Sequence, residues 1–336
     1  MRLSRRTVLA GATGVATFGI LHWHKADAAE FTYKIAHDLP PTHPIHLRLM
    51  QGAKKIGEEA GGKLVVQVYP NGQLGSDSQM LAQVRSGALE VMMIGDNILG
   101  QVVPSASIAS LPFAFNGYQQ LWSTMDGAFG AYIHAKVAAI GLHAFDKGWD
   151  VGFRHVITTN RQVHNAGDMK GLKLRVPEAP IQVSFFRALG ASPTPINISE
   201  LYTGLQTHLV DGAELPLSSI ESAKFYEVTK QISLTAHQPT TYEALANGAA
   251  YQRLPKNLQE ILARNLDAMA LLERADIADG ETGLAATLKT QGETIIKPDR
   301  KSFRAVIQHA GLYAKWRDTY GKEPFALLEK AVGKLT

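Results

Sequence analysis

The chain contains no cysteine, which excludes disulfide bonds, thiolate metal sites and cysteine nucleophiles. Common catalytic and cofactor motifs are also missing, since G-x-S-x-G, H-E-x-x-H and G-x-G-x-x-G do not occur after residue 28. The segment 57–64, GEEAGGKL, has the spacing of a P-loop but ends in Leu64, where magnesium binding requires Ser or Thr. We therefore expect no enzymatic activity, no cofactor and no metal.

A strong charge is also missing from most of the chain. The formal net charge is +4, from 34 basic and 30 acidic residues among 336. Residues 1–28 hold four of the basic residues and one of the acidic ones, which leaves 30 basic and 29 acidic residues. Such a balance lacks the basic surface that nucleic-acid binding requires. We expect no nucleic-acid partner.

Long hydrophobic runs are missing too. The run at 8–21, VLAGATGVATFGIL, is shorter than the about 20 residues of a membrane span. It follows a basic start and precedes the small-residue site ADA at 26–28, so residues 1–28 are predicted to be an export signal cleaved near Ala28. SRRTVL at 4–9 resembles the twin-arginine motif, with the Sec route as the alternative. Either route predicts an exported, periplasmic protein.

Alternating periodicities predict an α/β fold. Strand-like and helix-like segments alternate at 31–38, 43–61, 63–70, 77–87 and 88–95. Apolar strands separated by helices are typical of a parallel sheet covered by helices. The same alternation of strand-like and helix-like segments recurs at 172–177, 180–190 and 199–217. The recurrence is either a coincidence or a sign that the chain forms two similar lobes around a cleft. Residues 254–291 are helical in pattern and long enough to cross between the lobes.

Two arginines are the main candidates for ligand binding. Arg175 lies at the end of a short strand, two residues before Pro177, and Arg154 lies in a β-rich segment. Ligands of open parallel sheets bind beyond the carboxyl ends of the strands, and a guanidinium binds a carboxylate through two parallel hydrogen bonds. The alternatives for Arg175 are exposure on a strand face or pairing with Asp168 or Glu178.

A histidine-rich loop is a weaker candidate. His37, His43 and His46 occur in HDLPPTHPIH and could bind a metal together with Asp38. Turn and capping roles are the more favoured interpretation, because each residue suits the loop between a strand and a helix. His37 ends the strand, so a position in a pocket lining stays open for it.

Three long segments carry a resemblance to a known family. They are YPNGQLGSDSQMLAQVRSGALEV (69–91), DMKGLKLRVPEAP (168–180) and ALGASPTPINISELYTGLQTHLVDGAELPLSSIESAKFYEV (188–228). They are similar to the solute-binding proteins of TRAP (tripartite ATP-independent periplasmic) transporters. The resemblance implies a two-lobed periplasmic binding protein fold, type II-like, whose lobes are joined by crossing strands and a long helix. We expect lobe I to comprise 30–152 plus about 241–280, and lobe II to comprise 153–240 plus about 281–336.

The resemblance also assigns roles to site residues. Arg175 occupies the position that pairs with the ligand carboxylate, and Arg154 that of a second contact. Family members often carry asparagine where this chain has Val151 and Leu215, which disfavours strongly polar ligands because an unpaired buried hydroxyl costs about 1–3 kcal/mol. We therefore expect a monocarboxylate with an apolar or aromatic body, such as a 2-oxo or 2-hydroxy acid. The remaining candidates for the cleft are His37, Asn97, Phe113, Trp149, Phe185 and Glu214.

The expected roles of these candidates differ. Trp149, Phe113 and Phe185 could form apolar walls, although each is also an ordinary core residue. His37 and Asn97 could shape the far end of the cleft, and Glu214 could share a bridging metal with the carboxylate. The expected partners are the membrane subunits of a TRAP transporter, for a binding protein that is itself monomeric. An exported enzyme acting on a carboxylate and a ligand-sensing subunit of a membrane receptor are the alternatives.

Overall fold

The computed structural model describes residues 29–335, and the predicted export signal lies outside them. No helix within the described range has both the length and the apolar character needed to cross a membrane. The described strands are β1 (Phe31–Ala36), β2 (Leu64–Tyr69), β3 (Val91–Gly95), β4 (Leu142–Ala144), β5 (Trp149–Thr158), β6 (Lys173–Val176), β7 (Ser192–Pro195), β8 (Gly212–Pro216), β9 (Gln231–Ser233), β10 (Pro239–Asn247) and β11 (Thr294–Ile296).

The described α-helices are α1 (Pro44–Glu59), α2 (Asp77–Ser86), α3 (Asp96–Leu99), α4 (Tyr118–Met125), α5 (Ala128–Ala139), α6 (Pro180–Ala188), α7 (Ile198–Gln206), α8 (Leu217–Ser222), α9 (Gly248–Arg253), α10 (Lys256–Thr290), α11 (Arg300–His309), α12 (Leu312–Tyr320) and α13 (Lys322–Val332). Short 3₁₀ helices lie at Pro104–Ser110, Ala166–Met169 and Phe225–Glu227. The predicted α/β alternation is thereby confirmed.

Local sequence signals explain where the first helices begin and end. His43 caps α1 by accepting the Ile45 amide through Nδ1, and Pro44 occupies the first turn, where no amide partner is lost. Ser76 and Gln79 form a capping box at the start of α2. Gly87 ends α2 with φ +82°, a backbone conformation that glycine adopts without steric penalty.

Two strands cross between the halves of one continuous sheet, whose order is β2-β1-β3-β10-β5-β8-β6-β7. β1 pairs in parallel with β2 and β3, and β6 does so with β7 and β8. β5 pairs with β10 through its first half and with β8 through its second half, both antiparallel. β10 continues on to β3, so β5 and β10 join the two parallel regions.

The long helix α10 also joins the two regions. It packs along α1, where a Cβ placed on Gly52 would lie 3.0 Å from the Met269 side chain. Near its carboxyl end, Leu288 belongs to the core cluster that includes Ile232 and Ala213 of the second sheet region. Helix α10 therefore spans the molecule, as its sequence pattern predicts.

The terminal helices α11, α12 and α13 pack against different parts of the chain. Gly311, which has φ +60°, separates α11 from α12. Helix α11 packs on α6, whereas α12 contacts the 3₁₀ helix at 104–110 and α13 contacts α4 and α5. Trp316 of α12 also donates through Nε1 to Ser184 Oγ of α6, at 2.9 Å. The terminal helices thus contact both predicted lobes, and the lobe boundaries stay a prediction.

Candidate functional site

A cavity lies where both parallel regions present the carboxyl ends of their strands. Asp38 follows β1, Asn97 follows β3, Arg175 lies near the end of β6 and Leu215 near the end of β8. This convergence matches the rule that open parallel sheets bind ligands at that edge. The cavity holds about 390 Å³ of empty space, part of it open to solvent. Its lining comprises Asp38, Leu39, Asp77, Asn97, Ile98, Val151, Arg154, Arg175, Pro177, Ile198, Leu215, Ser219, Thr240 and Tyr242.

Arg175 carries a buried charge that no neighbour neutralises directly. The residue is 3% exposed, and its Nε donates to the Ile196 carbonyl oxygen at 2.8 Å. Its terminal nitrogens have no hydrogen-bond or ion-pair partner among residues 29–335, so four N–H donors are free toward the cavity. Burial, reinforced by the nearby charge of Arg154, lowers the pKa of Arg175 to about 10.

The alternative partners considered for Arg175 lie elsewhere. Asp168 accepts from the backbone amides of His164 and Asn165, where it closes a turn. Glu178 accepts from the Ser78 hydroxyl at 3.5 Å. Neither carboxylate pairs with Arg175, and exposure on a strand face is excluded by its burial.

Arg154, in contrast, is held by the protein itself. Its Nε and Nη2 donate to the two carboxylate oxygens of Glu214, the second at 2.8 Å, and its Nη1 donates to Thr240 Oγ1 at 2.9 Å. His237 Nε2 lies 3.1 Å from Glu214 Oε2. Burial opposes ionisation of Glu214, but the charge of Arg154 and the hydrogen bonds from His237 and Arg154 together lower its pKa. The Arg154–Glu214 pair is thus a buried, internally neutral unit.

Two buried aspartates face the same cavity, and the sequence analysis did not identify either one as a ligand contact. The Tyr242 hydroxyl lies 3.0 and 3.1 Å from the two carboxylate oxygens of Asp38. Asn197 Nδ2 donates to one oxygen of Asp77 at 3.1 Å, and its other oxygen has no partner among the described residues. Burial raises the pKa of both carboxyls, and the charge of Asp38 raises that of Asp77 further.

Four predicted site residues reach the cavity. Arg175, Arg154, Asn97 and Leu215 all line it. The sequence analysis missed Asp77, Ser219, Thr240 and Tyr242. The one available signal was position, because Asp77 opens a capped helix and therefore lies at the same sheet edge as the strand ends.

The aromatic side chains that were expected to form the walls of the cavity lie elsewhere in the structure. Trp149, Phe113 and Phe185 are buried but do not line the cavity. Trp149 packs in the core between the first sheet region and α1 and α10, while Phe113 and Phe185 meet edge to face, with ring centroids 6.3 Å apart, in another core cluster. Large apolar side chains gain more by full burial in a core than at a cavity rim.

His37 and Glu214 were also expected at the cavity and also lie outside its lining. His37 is fully buried with its Nε2 3.1 Å from His46 Nδ1, and Glu214 is taken up by Arg154, so neither residue lines the cavity. The role of His43 as a helix cap agrees with the favoured interpretation of the histidine loop. Within residues 29–335, no group of three or more His, Asp or Glu side chains is arranged to hold a metal ion.

Comparisons with known proteins agree with this architecture. Residues 35–316 match the family described as bacterial extracellular solute-binding protein, family 7. The chain is 31% identical over 302 residues to the uncharacterized protein y4mM of Sinorhizobium fredii, which covers 90% of this chain and 56% of that protein. It is 28% identical over 286 residues to the 2,3-diketo-L-gulonate-binding periplasmic protein YiaO of Escherichia coli, covering 85% and 87% of the two chains.

A solved structure extends the agreement to the fold. The TRAP periplasmic solute-binding protein of Polaromonas sp. JS666, bound to D-erythronate, superposes with a TM-score of 0.85 at 27% identity, covering 89% of this chain and 98% of that one. The expected two-lobed fold is thereby confirmed, and so is the expectation of a binding protein rather than an enzyme, because the family consists of transport binding proteins. The chain belongs to family 7 of the bacterial extracellular solute-binding proteins, the periplasmic ligand-binding subunits of TRAP transporters.

Proposed function

We propose that this protein captures a hydroxylated monocarboxylate, of the sugar-acid class, and delivers it to the membrane subunits of a TRAP transporter. The observation that carries the proposal is the buried guanidinium of Arg175, whose free donors point to the cavity. A buried cation without a counter-charge is unfavourable, and a bound carboxylate would supply that counter-charge through two parallel hydrogen bonds. Arg175 is therefore proposed as the carboxylate anchor.

The rest of the lining supports a ligand body with hydroxyl groups. Polar side chains surround much of the cavity, namely Asp38, Asp77, Asn97, Ser219, Thr240 and Tyr242. Carboxylate oxygens accept hydrogen bonds from ligand hydroxyls, and amide and hydroxyl groups both donate and accept. Some of these groups already have partners within the protein, but an apolar ligand body would leave the others, such as the second oxygen of Asp77, unpaired at about 1–3 kcal/mol each. YiaO is a 2,3-diketo-L-gulonate-binding protein and the Polaromonas protein is bound to D-erythronate, and both compounds are hydroxylated acids.

The ligand with an apolar body is the second candidate. Leu39, Ile98, Val151 and Leu215 line the same cavity, and they could pack against an alkyl or aryl group. This candidate no longer relies on Trp149, Phe113 or Phe185. It is ranked second because polar residues outnumber apolar residues in the cavity lining.

Calorimetric titration against a carboxylate panel tests the proposal. The panel contains aldonates, uronates, 2-hydroxy acids with alkyl or aryl bodies, and amides matched to the best ligand. We expect aldonates or uronates to bind most tightly and the matched amide not to bind. Arg175→Ala should abolish binding, whereas Arg161→Ala, which removes an exposed arginine, should leave it unchanged. Tight binding of an amide, or of aryl acids alone, would contradict the proposal.

Export and assembly complete the proposal. We propose cleavage near Ala28 by the twin-arginine or the Sec pathway, and a monomeric mature protein. Sequencing of the mature amino terminus and light scattering of the purified protein check these two points.

A further inference from the structure

Asp38 and Asp77 lie in the same cavity as Arg175, and binding of a carboxylate by Arg175 does not account for them. Both line the cavity, both are less than 10% exposed, and neither forms an ion pair with Arg175 or Arg154. They come from separate elements, since Asp38 follows β1 and Asp77 opens α2. Two buried carboxyls that share one cavity with an arginine, yet do not pair with it, are available to a ligand.

The charges around the two aspartates define what they can accept. Arg154 and Glu214 neutralise each other, so Arg175 is the remaining cation of the cavity. When a ligand carboxylate occupies Arg175, both aspartates lose their nearest available counter-charge. Glu178 accepts from the Ser78 hydroxyl of α2 and lies outside the cavity lining, so its charge does not face the ligand.

The carboxylate oxygens of the two aspartates act as acceptors, so a ligand group that pairs with them must be a hydrogen-bond donor. The Tyr242 hydroxyl donates to Asp38, and Asn197 donates to one oxygen of Asp77, so the second oxygen of Asp77 can accept one more hydrogen bond. Asp77 lies in the first turn of α2, the end of a helix at which a negative charge is favoured. A ligand hydroxyl satisfies this oxygen, whereas a second carboxylate has no hydrogen to donate and meets like charges when the aspartates are ionised.

We infer that Asp38 and Asp77 form a selectivity filter that accepts the hydroxyl end of a monocarboxylate and rejects a second carboxylate. The inference rests on the proposed function, because it requires that Arg175 hold the first carboxylate. It narrows the ligand class to hydroxylated acids with one negative charge. Dicarboxylates of the same length and hydroxyl pattern are excluded.

Matched ligand pairs test the filter. D-Galactonate and galactarate share a six-carbon hydroxylated chain and differ in one terminal group, a hydroxymethyl against a carboxylate. D-Gluconate with D-glucarate and D-erythronate with the corresponding tartrate extend the series to other stereochemistry and length. Affinities are measured by calorimetry at pH 8.0, which favours the ionised carboxyls. We expect the monocarboxylate of the best pair to bind at least 100-fold more tightly than its dicarboxylate.

Isosteric variants then locate the filter. Asp77→Asn should reduce the ratio of the two affinities at least tenfold, chiefly by tightening the dicarboxylate, and Asp38→Asn should act in the same direction. Glu178→Gln is the matched control, because it removes an equal charge near Asp77 from a residue that does not line the cavity. It should leave the ratio within threefold. Circular dichroism and thermal unfolding check each fold, and Asp38→Asn carries the test if Asp77→Asn does not fold.

The possible outcomes separate the two hypotheses. A ratio below threefold in the unmodified protein, an unchanged ratio in both aspartate variants, or an equal effect of Glu178→Gln overturns the filter but leaves Arg175 as the anchor. Binding of apolar hydroxy acids alone overturns the filter and favours the second candidate ligand. No binding of any carboxylate overturns the proposed function itself.

Discussion

Replacement of Arg175 by methionine should have opposite effects on the empty and the ligand-bound protein. The guanidinium is buried, makes one hydrogen bond and has no ion pair in the described part of the chain. Methionine has a similar length and no charge, so it removes the cation without opening a large void. The ligand-free protein should become more stable, while the stabilisation by ligand should be lost.

The size of the first effect follows from the pKa of Arg175, which burial lowers from 12.5 to about 10. At about 1.4 kcal/mol per pKa unit, this difference corresponds to roughly 3 kcal/mol of destabilisation by the charged form. The sign is fixed because the folded state binds the proton less tightly than the unfolded state, so the destabilisation is complete at all pH values below about 10. The lost hydrogen bond to Ile196 offsets about 1 kcal/mol, which leaves a net gain of about 1–2 kcal/mol for Arg175→Met at pH 7.

The second effect follows from the free donors. A hydrogen bond between charged groups contributes about 1.5–3 kcal/mol, so a bidentate contact contributes about 3–6 kcal/mol. This range corresponds to a rise of the dissociation constant by roughly 10² to 10⁴ in Arg175→Met. The dissociation constant of Arg175→Lys should lie between those of the unmodified protein and Arg175→Met, because an ammonium keeps the charge but loses the planar pair of donors.

Urea denaturation with and without ligand, combined with calorimetry, measures both effects. Arg161→Met is the control, because it removes a solvent-exposed arginine and should change neither the free energy of unfolding nor the affinity. The reasoning is refuted if ligand-free Arg175→Met is less stable than the unmodified protein, or if its affinity stays within threefold.

Three further substitutions test the surroundings of the site by urea denaturation. Glu214→Gln leaves the charge of Arg154 buried without its counter-charge, so we expect a loss of about 3–5 kcal/mol in the free energy of unfolding, and a loss below 1 kcal/mol would contradict this interpretation. Burial raises the pKa of Asp150 to about 7, so the folded state holds a proton between pH 3.8 and 7 that the unfolded state has released. Stability should therefore fall by at most about 4 kcal/mol as pH rises through that window, and a pH profile unchanged in Asp150→Asn would refute this origin. Gly152→Ala should cost about 1–3 kcal/mol, because φ is +108° and the added Cβ would lie 3.4 Å from Pro216, and an unchanged midpoint would speak against strain there.

The position of Arg175 could be predicted because it depends on local rules. Alternating apolar residues define the strand, Pro177 ends it, and the carboxyl ends of parallel strands meet at one edge of the sheet. The same rules place Asn97 beyond β3 and Leu215 near the end of β8. Each of these residues lines the cavity.

The remaining contacts could not be predicted because they depend on pairing between distant segments. Thr240 and Tyr242 reach the cavity from β10, an antiparallel strand whose place between β3 and β5 has no local sequence signal. The antiparallel register of β5 and β8 brings Glu214 to Arg154. Phe113 and Phe185 fail as cavity walls for another reason, because apolar periodicity reports burial but does not distinguish a core from a cavity lining.

The two arginines of the site therefore have different tasks. Glu214 and Thr240 accept from all three guanidinium nitrogens of Arg154, so this residue is held in place and has few free donors. Arg175 has the free donors, and the neighbouring charge of Arg154 further disfavours its own cationic form in the empty cavity. A ligand anion relieves this repulsion at the moment it binds, so part of the energy lost on folding returns as affinity. Because the gain requires an anion at Arg175, we expect binding to be selective for carboxylates over their neutral analogues.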